Sequence, residues 1–425
     1  MGFHWCRMHH QMVAPAGFRE STDAKCSDGR ASGAVPAFHW GKTQQCSGGR
    51  DGTGAAGNQQ GIPKTYIEPC VRGWEEVVRV SSSGTSLLLE YLEALRGGDI
   101  GDSSLSAEIA ADPGYLLFLD RQRRMVERTK GKDPSTITRD EFRRFLIGYS
   151  EGRAWDGHEL FARFGKSLDA ARDRLPEYRR LLDALGTIDV GRLKGDVLTR
   201  LPRGASIEST VYFLAEIHTN AYVHGSDIVV SFFPLRLAKQ IVDARNVPLE
   251  PILRHELHHI GMRSCACVGD EQSVAGIAAS LLGGLLSEGA ATMFFTPPEF
   301  NPDQTSWHAT ARDMRVHYSD FESILRRVLQ GEIDSDETFR VFFQRFHEPY
   351  QGLSYPAVYP LGVDICRTMA GFLGTERFVE MLRTPLEVPQ AYNAARSQQE
   401  DTPGKPFKFS EEVVCALEDL RRLRP

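Results

Sequence analysis

Pro251-Ile252-Leu253-Arg254-His255-Glu256-Leu257-His258-His259-Ile260-Gly261 is the stretch from which the rest of the chain is read. Its centre, His255 to His259, has the form H-E-x-x-H. On an α-helix, a spacing of four puts His255 and His259 on one face, one above the other. Two imidazoles so placed can chelate one zinc ion at about 2.0–2.1 Å each. Glu256 follows the first ligand and points beside the metal rather than at it. There it can take a proton from metal-activated water and pass it to a leaving amine. Leu253, Leu257 and Ile260 recur at helical spacing beside the histidines, as a half-buried helix requires. Pro248 and Pro251 stand where a first turn tolerates proline, and Gly261 where a helix or its ligand-bearing part can end. Three of the 13 histidines fall within these five residues, flanked by apolar positions, which argues against an ordinary surface helix.

A catalytic zinc ion takes a third protein ligand and keeps one position open. Glu288 is the strongest candidate, as the only charged residue between Glu271 and Glu299, inside the apolar run Val274–Phe295. A lone carboxylate in an apolar helix is unfavourable unless compensated, and a cation held by two imidazoles would compensate it. Gly283, Gly284, Gly289, Ala290 and Ala291 surround it with small side chains, so that another helix can approach closely.

An H-E-x-x-H helix followed by a second helix with a Glu-Gly-x-Ala element resembles the gluzincin branch of zinc metallopeptidases. Within it, the likeness is to uncharacterised zinc-dependent peptidases of bacteria, over about residues 205–390. The resemblance implies His255, His259 and Glu288 as ligands of one Zn²⁺ per chain and Glu256 as general base. The chain departs from the best-known gluzincins in the 28 residues between His259 and Glu288, a longer interval that contains Cys265, Cys267 and Asp270.

Other third ligands compete. The metzincin pattern H-E-x-x-H-x-x-G-x-x-H calls for glycine at 262 and histidine at 265, where this chain has Met262 and Cys265. Cys265 could ligate as thiolate, with Asp270 and Glu271 as minor candidates. His258 lies at a different angle from the His255/His259 face. It reads as packed or as a hydrogen-bonding group for a ligand or substrate carbonyl.

Composition bounds the rest. The chain has 425 residues, 41% hydrophobic and 25% charged, with net charge −6; these are ordinary values for a globular protein and give no reason to expect nucleic acid or an anionic membrane as partner. Eight unevenly spread cysteines make no disulfide framework. No signal-peptide pattern opens the chain, so cytoplasmic placement is the default, with export open if the start is misassigned. Val274–Phe295 has the length of a membrane span, but its glycines and Glu288 fit a buried core helix better.

Residues 1–84 read as a disordered tail or an over-extended start, rich in Gly, Ser, Gln and Arg and without periodicity. Within them, Cys6, Cys26 and Cys46 are evenly spaced and Phe3-His4-Trp5 recurs at Phe38-His39-Trp40, but the flanks do not repeat. Thr65–Val80 reads as a short ordered lead-in. Residues 85–205 read as a helical subdomain: Ser86–Leu95 stops at Gly97-Gly98, Thr138-Arg139-Asp140-Glu141 is a capping box, and Phe161–Leu168 and Leu175–Leu185 follow. His158 reads as structural.

Residues 206–300 read as the zinc-binding catalytic core. Thr210–Ala215 and Ile228–Phe233 are strand-like, joined by a loop with Asn220, His224 and Gly225, and one of them is expected to offer its edge to a peptide. His224, like His218, is a candidate cleft residue. Leu235–Ala244 reads as a helix. Residues 301–425 read as helices completing the cleft: Ala309–Leu329, Glu337–His347, Tyr359–Leu373, Glu376–Leu382 and Glu411–Arg422. Tyr359 opens one of them and is the first candidate for stabilising transition-state charge, with His308, His317 and Tyr318 behind it.

The expectation is an α+β, mostly α fold: a small sheet, the H-E-x-x-H helix, and a second helix with the glutamate ligand. The expected activity is hydrolysis of peptide bonds in a peptide or protein substrate. The alternatives are an inactive binding protein on the same fold, or a hydrolase of another amide or ester.

Overall fold

The computed structural model describes residues 78–98, 103–128, 133–216, 221–231, 249–265, 270, 272–298, 304–348, 355–398 and 407–422. They form a mostly helical α+β fold (73% helix) with one four-stranded sheet. The cysteine spacing, the Phe-His-Trp recurrence, most of the lead-in before Val78, the helix at 235–244, His218, Asn220 and Glu271 lie outside the described residues.

Strand β1 (Val78–Ser81) leads into helix α1 (Ser83–Gly97), and α2 (Ser103–Ala111) and α3 (Pro113–Arg128) follow. β1 begins within Thr65–Val80, the stretch of residues 1–84 expected as a short ordered lead-in; with four residues it is too short to show alternation. Gly98, at φ 83°, closes α1 in the left-handed conformation that glycine adopts freely. Next come α4 (Arg139–Ser150), α5 (Glu159–Arg172), α6 (Leu175–Leu185) and α7 (Val190–Leu198). The Thr138 hydroxyl accepts from the Glu141 N–H at 3.1 Å, half of the capping box read from sequence. The aromatic side chains of Tyr115, Phe142, Phe145, Phe161 and Phe164 interlock between α3, α4 and α5, which makes this helical layer one continuous core.

Strands β2 (Ser209–Leu214), β3 (Ala221–His224) and β4 (Asp227–Ser231) complete the sheet in the order β1-β2-β4-β3. β1 and β4 run parallel to β2, whereas β3 pairs antiparallel with β4 in the register Tyr222↔Val229 and His224↔Asp227. The segment expected as a plain loop therefore contains a strand. Ala221-Tyr222-Val223-His224 is buried at every position, so it carries no polar–apolar alternation to betray it. Gly225, at φ 65°, makes the tight hairpin turn. β3 is an edge strand and packs against the helix that follows.

That helix, α8 (Leu249–Cys265), carries the H-E-x-x-H motif; α9 (Val274–Phe295) follows, with Ser273 capping it by accepting from the Gly276 N–H at 3.0 Å. Gly261 does not end α8, which runs on to Cys265. Instead a side chain at 261 would meet Leu201 Cδ1 at 2.1 Å, so the glycine lets the segment after α7 seat against α8. α9 is buried around most of its girth, which explains its uniform apolarity; 78% of its most apolar window is inside the fold, although length and composition alone would let it cross a membrane. Each fully buried leucine among Leu281, Leu282, Leu285 and Leu286 contributes about 1.5–3 kcal/mol.

The remaining helices are α10 (Gln304–Arg312), α11 (Met314–Leu329), α12 (Ser335–Phe342), α13 (Val358–Leu373), α14 (Thr375–Met381), α15 (Val388–Ser397) and α16 (Glu411–Arg422). The run expected as one helix from Ala309 breaks at Asp313, and the run ending at His347 finishes in a π turn, Phe343–His347. α13 crosses α9 in backbone contact. A Cβ on Gly289 would lie 2.3 Å from the Gly362 carbonyl, and one on Gly362 would lie 2.7 Å from the Leu285 carbonyl oxygen. Of the small residues around Glu288, Gly289 serves this crossing.

Candidate metal centre

The helical spacing of His255 and His259 brings their rings to 4.7 Å between centroids on the face of α8 that meets α9. Glu288 reaches them from α9: its Oε2 lies 3.6 Å from Nε2 of His255 and 3.6 Å from Nε2 of His259. One ligand atom from each of the three falls within 4.8 Å of the others, and all three side chains are buried. Two donors each about 2.0–2.1 Å from one tetrahedral ion are about 3.4 Å apart, so this spacing fits zinc with little adjustment.

The far side of each imidazole is held. Nδ1 of His255 hydrogen-bonds with Thr296 Oγ1 at 3.0 Å, and Nδ1 of His259 with Ser287 Oγ at 2.8 Å. The tautomer that donates from Nδ1 leaves the Nε2 lone pair facing Glu288, as a metal ligand requires. Sequence reading missed both hydroxyls. Ser287 was visible only as the residue beside Glu288, and Thr296, which caps the C-terminus of α9, lies 41 positions from its partner.

Glu256 is fully buried and neither carboxylate oxygen has a hydrogen-bond partner in the protein. Burial first, and then the charge of Glu288, push its carboxyl well above the ordinary range; Arg263 and Arg121 oppose the push. A carboxylate bent on taking up a proton is what a general base near its working pH needs.

The other candidate residues are placed as follows. His258 packs on the C-terminal end of α9, against Phe295 (5.8 Å) and Phe294 (6.5 Å), and is not one of the three grouped donors. Burial pulls its pKa down to about 3, opposed only weakly by the Arg200 backbone. His224 ends β3, where its Nε2 lies 2.8 Å from Asp120 Oδ2 on α3. Burial works against the Asp120 charge, but the bonds from His224 and Arg124 hold that carboxyl below its usual range. Tyr359 is buried one turn before the α9–α13 crossing, its ring edge-on to Tyr355 at 5.3 Å. His317 bonds the Thr310 carbonyl, and Tyr318 donates to Asp364 at 2.5 Å. Cys265 donates its S–H to the Gly261 and Met262 carbonyls and Asp270 is exposed; among the described residues neither joins the His255–His259–Glu288 group.

The His258 position makes a prediction. An imidazole that titrates near 3 in the fold and near 6.5 in the unfolded chain gives the unfolded state the extra proton between those values. Its contribution is complete above about pH 6.5 and is lost as pH falls toward 3, by at most about 1.4 kcal/mol per pH unit. His258→Gln is expected to flatten the fall in urea midpoint between pH 6.5 and 4; an unchanged slope would remove His258 from the acid response.

A family model described as "Putative zinc dependent peptidase (DUF5700)" matches residues 108–401, more than half of the chain. No curated protein and no solved structure matches it.

Proposed function

This chain belongs to the DUF5700 family, and from that membership and the buried His-His-Glu group we propose that it hydrolyses peptide bonds as a gluzincin-type zinc peptidase. His255, His259 and Glu288 would hold one Zn²⁺ per chain. When bound, the ion supplies Lewis acidity, polarising the scissile carbonyl and making water nucleophilic at neutral pH. Glu256 takes the proton of the attacking water and delivers it to the leaving nitrogen. Ser287 and Thr296 keep the imidazoles in one tautomer and orientation. Tyr359 is the residue proposed to stabilise charge on the carbonyl oxygen, and the β3 edge beside α8 is the proposed strand for the peptide backbone.

The observation that carries this reading is three ligand atoms of the right chemistry within 4.8 Å, with Glu256 next to the first of them in sequence. A surface accident would not bury two imidazoles and two carboxylates together. Digestion of a random peptide library by the zinc-loaded chain tests the activity. Cleavage should vanish on chelation and return with zinc. Glu288→Ala is expected to weaken zinc binding about 100-fold or more while His255 and His259 remain, since it deletes one of three ligands. Zinc retained at parental affinity in Glu288→Ala would sink the ligand assignment. A zinc-loaded chain that cleaves nothing would leave the inactive-binder or non-peptide alternatives.

A further inference from the structure

A second buried polar pair lies in the wall between α3 and the sheet. Arg121, in the middle of α3, is 4% exposed and sets its guanidinium carbon 4.0 Å from the centroid of the Tyr222 ring. Tyr222 is fully buried on β3, the strand that packs against the metal helix. Among the described residues Arg121 forms no ion pair, and its Nε and the Tyr222 hydroxyl both lack a hydrogen-bond partner in the protein. Stacking on an aromatic face offsets only part of the desolvation of a guanidinium. Buried donors without an acceptor are uncommon in folded proteins, and where they persist a ligand or ordered water is the usual reason. Through Tyr222 the cation reaches β3, the edge strand that packs against the H-E-x-x-H helix, although its own helix comes from the N-terminal layer.

We propose that Arg121, braced on Tyr222, binds an oxygen of the substrate, either a backbone carbonyl or a terminal carboxylate, and so positions the peptide for attack. This rests on the peptidase reading above. Both oxygens are acceptors for the same fork of N–H donors, and a charged donor gives them the stronger hydrogen bond. Arg121→Lys keeps the charge and loses the fork; Arg121→Gln loses the charge.

The test uses full-length, zinc-loaded chains and two random heptapeptide libraries, one with free C-terminal carboxylates and one amidated. Cleavage is read by mass spectrometry, and retention of peptides is read separately on chains that also carry Glu256→Gln. Both Arg121 variants should keep zinc and the thermal midpoint while KM rises and retention falls, about 10- to 100-fold for Gln and less for Lys. A loss confined to the free-acid library assigns the terminal carboxylate, and an equal loss in both assigns a backbone carbonyl. Parental KM and retention in both variants would mean that Arg121 meets structural water only, and would overturn the proposal alone. Loss of the fold in both variants, Lys included, would assign Arg121 to structure and overturn it as well. A zinc-loaded parent that neither cleaves nor retains either library overturns this proposal and the peptidase reading together.

Discussion

Glu256→Gln is expected to lower turnover about 10²–10⁴-fold, the range for losing a general acid–base group, while zinc stays at one per chain. The same change is expected to stabilise the metal-free protein. Glu256 is enclosed, with neither oxygen hydrogen-bonded, beside the second carboxylate Glu288. Its folded-state pKa is raised, so its contribution to stability is complete below about pH 4.5. It is lost as pH rises and the unfolded chain ionises while the fold resists. Glutamine has the same shape and never ionises. The variant's urea midpoint should match the parent's near pH 4 and exceed it increasingly toward pH 8. Equal midpoints throughout, or full activity in Glu256→Gln, would show that this carboxylate has neither the environment nor the role described.

Gly289→Ala is expected to be among the most disruptive substitutions of one methyl group in the chain. The added Cβ would sit 2.3 Å from both the carbon and the oxygen of the Gly362 carbonyl, and no side-chain rotation can relieve a clash with backbone. α9 and α13 must move apart, opening the packing of Leu285 and Leu286 beside them; about 3 kcal/mol or more is expected. Residue 289 adjoins Glu288, so the displacement also moves the proposed third ligand. Calorimetry should show a fall in the thermal midpoint, and zinc titration a weaker site. Gly283→Ala is the control on the same helix, where an added Cβ meets only Pro385 Cγ at 3.9 Å. A Gly289→Ala protein as stable as Gly283→Ala would mean that the helices are not in backbone contact.

Where local signals sufficed, the fold was legible. The apolar run Val274–Phe295 is a helix over that same span, and Leu175–Leu185 likewise. That His255 and His259 share one helix face needed only a helical period, and Glu288, which the fold brings to them, stood out by its isolation in an apolar run. What escaped depended on distant contacts or on elements too short to carry a period. β1 and β3 have four residues each. Gly261 looked like a stop signal because its neighbour, Leu201, is 60 positions away and only the packed structure shows that side chain against its Cα. Arg121 carries no local signal among the charged residues Asp120, Arg123 and Arg124; its place on Tyr222 arises from packing α3 onto the sheet. His224 was legible as a histidine near the strands, but its bond to Asp120 was not.

Ser287, Glu288 and Thr296 all lie at or near the C-terminal end of one helix, and each meets a histidine of the other. Neither helix alone contains all three donors, so the unfolded chain lacks the complete group, although His255, His258 and His259 stay close in sequence. Zinc held by the proposed ligands would then favour the native state, by at most about 4 kcal/mol when free zinc is 1,000 times the dissociation constant. On the zinc reading, metal supply in the surroundings would bear on how long the polypeptide stays folded, as well as on whether it can react.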